Sequence, residues 1–86
     1  MAVATTDYIV RDDDRYTVLV GWDEELQTFF ARVFSGYSPD GHPVREIGTR
    51  PGEIRALSAL GDAVQGYATL DAQTVTALRH DAAAPF

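Results

Sequence analysis

Eighty-six residues, 45% hydrophobic and 23% charged, describe one globular α+β domain expected to span 1–86. The net charge of −6 and the complete lack of lysine and cysteine exclude Schiff-base chemistry, thiolate catalysis, disulfides and cysteine-based zinc sites. The seven arginines, at 11, 15, 32, 45, 50, 55 and 79, form no basic run, so direct nucleic-acid binding is not expected.

The N-terminal "MAVATT" is expected to fray, and it lacks a charged region leading into an apolar core. With no apolar run near the roughly 20 residues that span a bilayer, a cytoplasmic protein with no membrane contact is the expectation. "DYIV" reads as a short extended piece. "RDDDR" follows as a solvated turn in which Asp12, Asp13 and Asp14 repel one another. The run has neither the alternating ligands nor the central glycine of a calcium loop.

"RYTVLVGWD" is the clearest strand, with Tyr16, Val18, Val20 and Trp22 on one face and Thr17, Leu19 and Gly21 on the other. A turn carrying Asp23, Glu24 and Glu25 leads into a second strand over 26–35 and closes an antiparallel hairpin. Leu26, Thr28, Phe30, Arg32 and Phe34 share one face of that strand, and Gln27, Phe29, Ala31 and Val33 the other. Apolar residues on both faces predict a central strand with something packed on each side. "SGYSPDGHP" is a loop punctuated by glycine and proline, and it contains Tyr37, Asp40 and His42. "VREIG" makes a third strand. A helix is expected from Pro51 to about Tyr67, with Pro51 in its first turn, Glu53 at its positive end and Gly66 weakening its close. A second helix starts behind Asp71 as N-cap and carries Arg79 and His80 near its negative end. Residues 83–86 are expected to fray. Strands first and helices after give a small antiparallel sheet of about three strands, followed by two helices packed on one face.

Adjacent carboxylates invite an acid–base reading, but Asp23, Glu24 and Glu25 diverge into water from a turn, whereas perturbed carboxyls need burial. Asp40 and His42 are spaced to converge, yet two histidines far apart in the chain make no ligand set of the HExxH kind. "GTRPGE" sits where phosphate loops sit, between strand and helix, but it matches neither glycine signature, and Pro51 removes an amide donor. No serine lies in a nucleophile elbow. No catalytic residue, metal or cofactor is therefore expected. What remains is surface for a partner: the carboxylates Asp12, Asp13, Asp14, Asp23, Glu24 and Glu25 together with the amphipathic aromatics Trp22 and Tyr37.

"YTVLVGWDEELQTFFARV" resembles the opening hairpin of HicB-like antitoxins, in which a Y-x-V-x-V-x-W-D/E strand turns into one ending in F-x-A-x-V. "EIGTRPGEIRAL" is similar to that family's G-x-T-x-x-E-A passage through Gly48, Thr49 and Glu53, and the likeness extends over about residues 16–67. The loop before it departs from the family's compact P-x-L-P-G-C passage, and no operator-binding segment follows Tyr67. The resemblance implies a protein that neutralises a small basic RNA-cleaving toxin by covering it, and it carries no catalytic residue onto this chain. The expectation is thus a non-enzymatic acidic module that covers a partner's basic surface, as an antitoxin-like or inhibitory protein or a mimic of nucleic-acid charge. Pairing of a sheet edge with a second copy would make it a homodimer. The alternative is a small enzyme or ligand-binding domain whose pocket forms across such a dimer, with His42 and the acidic turn facing it.

Overall fold

The computed structural model describes residues 7–36 and 41–83, and what the sequence predicts for 1–6, Tyr37 to Asp40 and 84–86 lies outside them. Strands β1 (Asp7–Val10), β2 (Tyr16–Asp23), β3 (Thr28–Ser35) and β4 (Arg45–Ile47) form one antiparallel sheet in the order β1-β2-β3-β4. Helices α1 (Leu57–Val64) and α2 (Ala72–Ala83) follow, so the class is α+β as expected. The sheet has four strands rather than about three. The short piece "DYIV" pairs with β2 from Asp7 opposite Gly21 to Val10 opposite Val18, because Tyr8 and Val10 both have core to face. The last described residue, Ala83, closes α2.

The alternation read in β2 and β3 holds. Val18 and Val20 lie beside Val33 and Ala31, and this face packs against Leu60 and Val64 of α1 and Leu78 of α2 in one apolar cluster. Full burial of side chains of that size contributes roughly 1.5–3 kcal/mol each.

Phe30 and Phe34, on the opposite face of β3, are buried but lie outside the apolar cluster that the helices join. An arginine stem can shield apolar surface there while the charge stays in water. The Arg32 guanidinium lies 5.4 Å from the centroid of Phe30 and pairs with Glu46 at 3.5 Å. Arg11 donates from Nε to Thr17 Oγ1 at 3.1 Å on the same face. Ile9, 53% exposed, marks where the shelter ends.

The first helix is shorter than its apolar stripe predicts. Residues 50–56 use their backbone groups elsewhere: the Phe29 amide donates to Ile54 O at 2.9 Å, and the Ile54 amide donates to Thr28 Oγ1 at 2.7 Å. Ala56 is extended, with φ −116° and ψ 138°, and the helix starts only after it. Glu53 accordingly serves the loop, accepting from the amides of Thr49 and Arg50 at 3.2 Å each. Beyond Val64 the chain turns at Gly66 (φ 98°), which leaves Tyr67 outside the helix and edge-on to Tyr16 at 5.0 Å. Asp71 caps α2 as expected, its Oδ1 accepting the Thr74 amide at 2.7 Å.

Candidate partner-binding site

Four of the six candidate carboxylates are held by the chain itself. Asp12 accepts from the Thr69 amide at 2.9 Å and from its hydroxyl at 3.0 Å, clasping the β1–β2 turn to the connection between the helices. Asp13 accepts from the Arg15 amide and side chain, and these bonds hold its carboxyl below the usual aspartate value. Asp23 Oδ1 takes the Leu26 amide at 3.0 Å, shaping the hairpin turn. Glu24 Oε2 takes the indole N–H of Trp22 at 2.7 Å, and Gln27, at φ 54°, closes the turn through Nε2 on Glu24 O. Asp14 and Glu25 point into solvent.

The structure does not gather these acids into one patch. The two acidic turns cap opposite ends of β2, and eight strand residues separate them by about 25 Å. Trp22 joins only the second turn. Its ring packs edge-on against Phe29, 4.9 Å between centroids, and it is only partly buried.

Beside Trp22 lies a feature the sequence did not signal. A hollow of about 630 Å³ is lined by Trp22 and Phe29 from the sheet, Arg55 from the segment before α1, Leu57 at the start of α1, and Arg79 and Ala82 from α2. A second, of about 460 Å³, shares Leu57, Ser58 and Arg79 with it and runs on between the helices past Gly61, Leu70 and Val75. The strap from Ile54 to β3 builds this site, because it lays Arg55 and Leu57 beside Phe29. Comparison with family models, with curated proteins and with solved structures gave no match. The chemistry of the site therefore rests on its own residues.

Gly48 and Gly52 make the strap possible. A Cβ on Gly48 would stand 2.1 Å from Phe29 O, and the residue holds φ 78°. The Gly52 amide donates to Leu26 O at 2.9 Å, tying the strap to the hairpin turn. Arg55 folds back over Gly52, where a Cβ would come within 2.8 Å of Nη2. Arg55 and Arg79 are exposed and make no ion pair among the described residues, whereas Arg15 and Arg32 are both paired.

His42 is exposed. Among the described residues no three His, Asp or Glu side chains stand close enough to hold a metal ion. His80 and Asp81 border a shallow hollow with Tyr8, whose hydroxyl donates to Asp81 Oδ2 at 2.7 Å. That bond raises the phenol above its usual value. No helix among the described residues is long and apolar enough to cross a membrane.

Proposed function

We propose that this chain is a non-enzymatic protein-binding module that engages a basic surface of its partner through the turn at the Trp22 end of the sheet. The observation that supports it best is the bond from the Trp22 indole to Glu24, inside a turn already fixed by Asp23 and Gln27. An aromatic anchor and a carboxylate are thus held in place before any partner arrives, which reduces the ordering cost of association. Glu25 projects from the same turn into water. The net charge of −6 steers a cationic surface toward it. An inhibitory, antitoxin-like role against a basic nucleic-acid-handling enzyme is the sharpest form of this reading.

The test is the association rate with a partner recovered from the producing cells, measured at low and high salt. Steering predicts that added salt slows association on the order of tenfold or more. Glu24→Gln combined with Glu25→Gln should reduce both the rate and its salt dependence. A partner whose association ignores salt and tolerates the double substitution would end this proposal.

A further inference from the structure

The trough beside Trp22 bears on what else that partner must carry, and this inference deepens the protein-binding reading and rests on it. We propose that the trough binds an acidic peptide segment of the partner, with an apolar side chain seated against Trp22, Phe29 and Leu57 and neighbouring carboxylates held by Arg55 and Arg79.

Charge is the first argument. In a chain of net charge −6, the described residues that border the hollow beside Trp22 include two guanidinium groups and no carboxylate. Neither group is neutralised by an ion pair among the described residues. A guanidinium offers a planar fork of donors that matches a carboxylate in two parallel bonds. Arg55 is steered by its seat over Gly52, and Arg79 rises from a helix whose neighbouring Leu78 is fully buried. Both cations therefore stand on fixed backbone.

The walls supply the apolar half. Glu24 already occupies the indole N–H of Trp22, so the accessible part of that ring offers carbon surface rather than a donor. Extent argues for a peptide over a small acid. Two open hollows of about 630 and 460 Å³ meet at Leu57, Ser58 and Arg79, so a chain lying along them passes Arg55 and then Arg79. Asp62 enters only at the far hollow, where it disfavours a second run of acids.

A random-peptide display library panned on the immobilised chain, with the R55Q/R79Q double variant panned in parallel, reads this preference. The enriched sequences should join a bulky apolar residue to adjacent Asp or Glu. They should change the fluorescence of Trp22, the single tryptophan, and bind the double variant on the order of tenfold or more weakly. R55Q and R79Q alone, each at an exposed position, should fall between. Glu25→Gln should leave peptide affinity unchanged while slowing association with the basic partner, so failure of the turn and failure of the trough give different patterns. The proposal is overturned if no acidic sequence is enriched, or if acidic binders hold the double variant equally well. It is also overturned if indole-3-acetate displaces the peptides at matching concentrations, which makes the trough a small-acid site. A Trp22 signal that follows protein concentration without peptide, and is lost in the double variant, overturns it in favour of a second copy.

Discussion

The Thr28 hydroxyl accepts the amide hydrogen of Ile54 at 2.7 Å, joining the first residue of β3 to a segment 26 residues further along the chain. Thr28 is fully buried, and with the Phe29 amide on Ile54 O this bond fixes where the strap runs and where α1 can begin.

Thr28→Val keeps the shape but leaves the Ile54 amide without its acceptor. The expected cost is about 1–3 kcal/mol, the usual penalty for an unsatisfied buried donor. Urea unfolding measures it, with Thr28→Ser as the variant that retains the hydroxyl and loses less.

Gly48→Ala places a methyl against Phe29 O and Phe30 Cα, both backbone atoms that cannot swing aside. Gly41→Ala is the control, since Gly41 has a similar φ of 80° but nothing within 4 Å of its added Cβ. The control should cost roughly 1–2 kcal/mol of left-handed strain. The Gly48 variant should lose clearly more, with a lower Tm by calorimetry.

Leu60→Ala removes a fully buried side chain from the layer between α1 and the sheet. A loss of about 2–5 kcal/mol is expected, depending on how far the core closes over the cavity. Leu57→Ala, at a half-buried position in the trough, should cost less in stability while weakening acidic peptides.

The cap on α2 has a signature in pH. Hydrogen bonds from Thr74 hold the Asp71 carboxyl below its usual value of 3.8. A carboxyl depressed in the folded state adds stability that is present above the unfolded value and is lost as pH falls through the folded one. The window therefore lies below about pH 3.8. Asp71→Asn keeps a good cap without the titration. Tm against pH in the acid range should fall less steeply in this variant than in the parent chain.

The sequence made the sheet legible because alternation in "RYTVLVGWD" and "LQTFFARVFS" reports directly which face meets a core. The limits of α1 were not legible. Ile54 and Leu57 carry helical spacing, but the decisive contact is Thr28 to Ile54, and no local pattern encodes a partner so distant. The acidic turns could be read as turns, yet the clasp from Asp12 to Thr69 depends on how the helices return over the sheet. Arg55 and Arg79 were visible only as scattered cations. Packing of α2 beside the start of α1 makes them neighbours of one trough, and composition carries no trace of that.

Neighbouring strands of this sheet are always consecutive in the chain, so it can assemble hairpin by hairpin from local contacts. The distant closures are left to the C-terminal part, where Tyr8 meets Asp81 across 73 residues and Asp12 meets Thr69 across 57. Those bonds require the meander and the C-terminal part to be in place together. Trp22 and Phe29 belong to the meander, whereas Arg79 and Ala82 belong to the last helix. Unseating α2 would leave the aromatic wall of the hollow in place and take Arg79 and Ala82 away from it, so the hollow exists only where the meander and the last helix meet.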